Sequence, residues 1–194
     1  MLIVARKDSR SDRYFTSVDL TGKFSTFGIG HTLLMGGDYF NNDASSVFNL
    51  FPNTPPSFTS FNIFNPIYLT EPVIRDPRFD GFSNISTSWY GLYFQDQLEL
   101  PYHLHALAGF RYDNADQEND LHVPSDPSFV GRSKTSDDRV SPRGGLLWRP
   151  IPQLSLYGSY SENFGASNVF SSTRDNVLPP ETAQQWEVGA KSEL

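Results

Sequence analysis

The sequence predicts an all-β chain: antiparallel, up-and-down strands of the kind that form part of a transmembrane β-barrel. Three observations predict it. Apolar and polar residues alternate over runs of about ten residues, the length that crosses a bilayer at a tilt and longer than the usual soluble strand. The breaks between these runs are short at one end and long at the other. Aromatic residues gather at the two ends of the apolar face, as in the girdles of membrane barrels.

The clearest hairpin runs from Ser88 to Asp113. Successive strand residues point to opposite faces, so Tyr90, Leu92, Phe94, Leu98 and Leu100 share one surface, opposite Trp89, Gly91, Tyr93, Gln95, Gln97 and Glu99. After the break Pro101-Tyr102-His103, the apolar set is Leu104, Ala106, Ala108, Phe110 and Tyr112, and the polar set includes His105, Arg111 and Asp113. Asp96 is the misfit, a carboxylate on the apolar face that needs a partner at mid-depth.

Upstream, Arg13 to Phe27 alternates loosely. Gly28-Ile29-Gly30 reads as a tight turn, and His31 to Phe40 returns with Leu33, Met35 and Tyr39 on one face and Thr32, Leu34 and Asp38 on the other. Asn41 to Ile85 carries six prolines, which prevent a regular ladder, but its many aromatics argue for a folded loop. Downstream, Ala115 to Asp138 reads as a second long polar connection. Val140 to Arg149 is the next strand, with Val140, Leu146 and Trp148 opposite Arg143 and Arg149. Pro150-Ile151-Pro152 is a short turn, and Gln153 to Asn163 alternates again. Phe164 to Pro179 is a third long connection, and Thr182 to Leu194 a last strand with Trp186 and Val188 on one side.

Composition permits this architecture and excludes others. A mean hydropathy of −0.42 does not argue against a membrane, because barrel strands are only half apolar. The absence of cysteine excludes disulfides and thiolate metal sites. A net charge of −7 disfavours nucleic acid, whose phosphates need a basic surface. His103 and His105 are close enough to share a strand face, but a solvated rim explains them better than a metal. The acidic run Asp113 to Asp120 lacks the glycine and spacing of a calcium loop. Gly158-Ser159-Tyr160-Ser161 is not a nucleophile elbow, and Gly28-Ile29-Gly30 is not a dinucleotide fingerprint. No enzyme signal emerges.

The segments Y-G-L-Y-F-Q-D-Q-L, L-A-G-F-R-Y-D, S-P-R-G-G-L-L-W-R-P and L-P-P-E-T-A-Q-Q-W-E-V-G-A-K are similar to barrel strands of TonB-dependent outer-membrane receptors. With G-H-T-L-L-M-G-G-D-Y-F and F-N-I-F-N-P-I-Y, the pattern most resembles receptors for ferric siderophores of the ferrichrome and hydroxamate type. The resemblance implies uptake of an iron chelate across the bacterial outer membrane, driven by the TonB complex. It also implies a plugged barrel of about 22 strands. About seven strands are read here, so residues 1–194 are expected to be an internal part of the barrel wall, without plug domain, signal peptide or TonB box. Iron would arrive already chelated, with no resident cofactor, and lipid would cover the apolar face.

The expected ligand residues lie inside the external mouth: Trp89 and Phe40 inward at the ends of their strands, Arg111 and Asp113 inward at the same level, and Phe64 and Tyr68 in the loop above. Each could instead pack a loop or line the wall. Two other architectures stay open: a soluble β-sandwich binding carbohydrate through its aromatic loops, and a passive porin-type channel.

Overall fold

In the computed structural model, residues 3–51, 80–124, 131–166 and 179–193 are described. They form a single seven-stranded antiparallel sheet in which each strand pairs with its neighbour in sequence. The strands are β1 (Ile3–Thr26), β2 (Ile29–Phe51), β3 (Asp80–Leu100), β4 (Leu104–His122), β5 (Gly131–Ile151), β6 (Leu154–Gly165) and β7 (Glu181–Ser192). No described residue is helical. β1 and β7 are the two edges, and the sheet is not closed by pairing between them.

The polarity of the connections follows the expected asymmetry. Phe27-Gly28, Pro101-Tyr102-His103 and Pro152-Gln153 are tight turns at one end, while the chain leaves β2, β4 and β6 at the other. The first turn joins the Thr26–Ile29 pair through Phe27 (φ 52°) and Gly28 (φ 82°). Two positive φ values make the primed type of turn, whose twist matches that of the flanking strands. The turn is therefore one residue earlier than Gly28-Ile29-Gly30, and Ile29 and Gly30 already belong to β2. The Pro150-Ile151-Pro152 turn shifts the other way, to Pro152-Gln153. There a bulge between Trp148 and Ile151 absorbs the first proline. His103 sits in a turn (φ 57°) rather than on a strand beside His105, so the two histidines do not share a strand face.

The strands are longer than alternation predicts. Asn41–Phe51 and Asp80–Ile85 are strand rather than loop, and so are Ala115–His122 and Gly131–Asp138. Phe82 pairs with Val47 on one side and His122 on the other. These extensions carry Ser, Asn, Asp and Gln on both faces, so no apolar period marks them; the backbone ladder holds them, with cross-strand side-chain links such as Ser83–Asn119 and Arg132–Glu118.

Register lines up one apolar surface across all seven strands. Leu20, Met35, Phe94, Phe110 and Pro142 form one rung of it, and Gly37, Leu92, Tyr112 and Val140 an adjacent one. Leu92 and Leu146 are each 57% exposed and Ala108 is exposed, so among the described residues no second layer covers this surface. That rules out the β-sandwich. On β2 to β4 the apolar band ends in aromatics at the paired Tyr39 and Tyr90 and at Tyr112 one rung below, and at the turn end it carries Phe24 and Trp148; Tyr160 and Trp186 pair with each other on the same face of β6 and β7. From Tyr90 to Leu100 the band is about ten residues tall, or about 25 Å at a strand tilt near 45°. Beyond the upper aromatics the same face turns polar, with Asp12, Asp43, Ser88, Asn114 and Asp138.

The misfit Asp96 has its partner. His31, on the same face of β2, places Nδ1 2.7 Å from Asp96 Oδ2, and the two side chains are 17% and 21% exposed. Phe24 stacks on the His31 ring with centroids 4.7 Å apart and planes 4° apart, closing the pair on the β1 side. Breaking the pair should strand a carboxylate on the apolar face. His31→Leu is expected to cost about 2 kcal/mol, and the His31→Leu/Asp96→Leu double variant to regain most of it. Thermal unfolding in detergent measures both; equal loss in single and double variants would mean the pair contributes nothing.

Candidate functional site

The face opposite the apolar band is built from rungs that register fixes. Phe40, Trp89 and Ala115 form the uppermost of four; Asp38, Gly91, Asp113 and Arg139 the next; Gly36, Tyr93, Arg111 and Ser141 the third; Leu34, Gln95, Gly109, Arg143 and Ser161 the fourth. These rungs floor a recess of about 710 Å³, within the range of sites that hold compact organic ligands.

Arg111 is the hub. Its Nη1 and Nη2 donate to Asp38 Oδ2 and Oδ1 at 2.7 and 2.9 Å, a two-pronged contact. Its Nε donates to Asp113 Oδ1 and Oδ2 at 2.8 and 3.0 Å. Asp113 also accepts from Trp89 Nε1 at 2.8 Å, which fixes the indole plane. To reach Asp38 on β2, the guanidinium must cross β3, and it crosses at Gly91. A Cβ there would collide with the Arg111 guanidinium. Tyr93 lies beneath, its ring 5.6 Å from Cζ, and its hydroxyl hydrogen-bonds Asp19 on β1. One cation thus ties β2, β3 and β4 together, and Tyr93 extends the network to β1.

The far wall comes from β5 and β6. Above the Arg143–Ser161 pair, β5 and β6 no longer share a ladder. Phe164, which alternation places on the apolar side, instead packs edge-on against Trp89 with centroids 5.6 Å apart and lines the recess. Glu162 accepts from Arg139 Nη2 at 2.8 Å and from Tyr160 Oη at 2.5 Å, so those charges are matched.

Of the expected residues, Trp89 and Arg111 line the recess together with Asp113. Phe40 is the register partner of Trp89 on the same face, but stands outside the lining. Phe64 and Tyr68 lie outside the described residues. Residues not expected there are Asp38, Tyr93, Arg143, Ser141 and Phe164. Parity alone supplies the first four once register is known; no sequence signal gives Phe164. Among the described residues no group of His, Asp and Glu could hold a metal ion.

The family profile described as TonB dependent receptor-like, beta-barrel matches residues 4–194. The chain belongs to that family. It is a family of receptors and transporters rather than enzymes, and its place is the outer membrane. The ferrichrome outer membrane transporter/phage receptor of Escherichia coli K12 is 31% identical over 95% of this chain and 24% of its own length. A ferrioxamine B receptor of Salmonella typhimurium is 30% identical over 90% of the chain and 23% of its own length. The chain thus spans about a quarter of the curated relatives it matches. Among solved structures, the siderophore receptor PiuA from Acinetobacter baumannii superposes with a TM-score of 0.76 at 19% identity, over all of this chain and 31% of that one. The ferric-catecholate import receptor Fiu of E. coli K12 gives 0.75 at 20%, over 95% and 29%. At such identities these two report the fold. Family membership sets the porin alternative aside.

The Arg111 network should matter to stability through its fork rather than its charge alone. Arg111→Lys keeps the charge but cannot serve Asp38 and Asp113 together, and is expected to cost about 1–2 kcal/mol. A thermal midpoint in detergent unchanged from wild type would show that the fork contributes nothing.

Proposed function

We propose that this chain forms part of the barrel wall of a receptor that takes a ferric siderophore of the hydroxamate type across the outer membrane, driven by the TonB complex. The observation that carries the reading is the Trp89–Phe164 aromatic pair. It stands over the Arg111–Asp113–Asp38 network, on the face turned away from the lipid band and towards the end where the long connections leave. Rigid aromatics bury ligand surface at little entropic cost, and a network that fixes Trp89 before binding lowers that cost further. The ferrichrome and ferrioxamine relatives support the ligand class.

In this reading iron is cargo held by its chelator, so the wall needs no metal ligands and no resident cofactor. Lipid is the partner along the apolar face, and nucleic acid is not a partner, given a net charge of −7. The TonB complex is the energy-supplying partner in this reading. Trp89 and Arg111 are the proposed contact and positioning residues. Phe40, one residue along the rung from Trp89, and Phe64 and Tyr68 complete the proposed aromatic mouth.

In the protein expressed from its complete reading frame, Trp89→Ala is expected to weaken ferric trihydroxamate binding about tenfold while leaving barrel folding intact. Titration by radio-iron retention measures the first, and heat-dependent gel mobility the second. An affinity equal to wild type removes Trp89 from the site.

A further inference from the structure

We propose that Arg143 reads the charge of the bound chelate, and that the preferred ligand is therefore an anionic iron chelate with a carboxylate or similar oxyanion on its periphery. The inference rests on the receptor reading above and narrows it.

The argument is one of matched and unmatched charge. Among the described residues lining the recess, Asp38 and Asp113 each use both carboxylate oxygens on Arg111. Arg111 in turn spends its fork on them. Glu162 is taken by Arg139 and Tyr160. Arg143 lines the same recess, and none of the described carboxylates pairs with it. The one ionic group left open to a ligand is thus a guanidinium, whose planar donors suit carboxylates and other oxyanions.

Its surroundings keep it open. Its cross-strand partners are Gly109 on β4 and Ser161 on β6, and its same-face neighbours along β5 are Ser141 and Gly145. None is large enough to cover the guanidinium or charged enough to neutralise it. Ser141 is only 7% exposed, lines the recess and has a hydroxyl with no hydrogen-bond partner. Arg143 and Ser141 on one side and Trp89 and Phe164 on the other give the recess a charged wall and an aromatic wall.

Three matched ligands test this in the protein from its complete reading frame: ferrioxamine B, which is cationic, its N-acetyl derivative, which is neutral, and its N-succinyl derivative, which is anionic. The metal-binding core is the same in all three. Wild type is expected to bind the anionic form most tightly. Arg143→Gln should weaken that form about tenfold and leave the neutral form within twofold. Arg143→Glu should reverse the order in favour of the cationic form. Arg143→Gln removes the charge and keeps a polar, hydrogen-bonding side chain, so it carries the comparison even if the reversed charge impairs folding. Equal effects of Arg143→Gln on all three ligands, or none on any, would overturn the inference and leave the receptor reading standing. The same holds if wild type shows no charge preference or favours the cation. If wild type binds none of the three, the hydroxamate-receptor reading fails and this inference with it.

Discussion

The whole structure depends on one constraint: in hydrocarbon, a strand's backbone N–H and C=O groups have no water to turn to, so the sheet must pair them all. The seven strands meet it with continuous ladders. β2 to β4 are paired on both sides through the apolar band, from Tyr39 and Tyr90 down to Leu100, while β5 is paired with β4 along the whole band and with β6 from Arg143 to Trp148. Once pairing is obligatory, register follows, because a slip of one residue would turn every apolar side chain inward. The two outer strands show the same constraint from the other direction. β1 and β7 each have one side without a partner among the described residues, and an open edge in lipid is not a stable state. The sheet therefore calls for further strands on both sides.

Parity then assigns each side chain a solvent, and the exceptions carry the information. Asp96 faces lipid and is held by His31 under the Phe24 ring, so part of its cost is met locally. Its other oxygen, Oδ1, is buried without a partner. Phe164 belongs by count to the lipid side and instead closes the recess, at the end of β6 where pairing with β5 has ceased above Ser161 and pairing with β7 continues.

What could be read from the sequence divides along the same line. Inside the band the two solvents differ, so alternation is strong, and Tyr90 to Leu100 or Leu104 to Tyr112 can be assigned residue by residue. Above the band both faces meet water, the period vanishes, and Ala115–His122 or Asn41–Phe51 look like loop although they are strand. Turns erred by a residue because proline and glycine mark a bend without fixing its register: the bulge at Trp148–Ile151 moves one turn, and the pair of positive φ values moves the other. Trp89 and Arg111 were legible as inward residues, since parity needs only the local sequence. That Asp38 faces Arg111 across Gly91 was not, because it depends on the pairing of β2, β3 and β4, which no local pattern encodes.

The recess itself has a simple physical origin in where glycine stands. On the inward face, Gly36 is the register partner of Tyr93, Gly81 of Phe48 and Gly189 of Tyr157. In each case the large ring lies over the neighbouring strand at the glycine. A Cβ at Gly36 would come within 2.7 Å of Tyr93 Oη, one at Gly189 within 2.5 Å of Tyr157 Oη, and one at Gly81 would meet the Phe48 ring. Gly91 accommodates Arg111 in the same way. Laid flat, these side chains cover backbone that glycine leaves bare, and they do so without projecting into the interior. The bulk of the wall is thus displaced to the lipid side, where Leu, Phe and Tyr stand upright. Tyr93 and Arg111 line the recess, so a side chain at Gly36 or Gly91 would displace one of them into the space in which the ligand is proposed to sit.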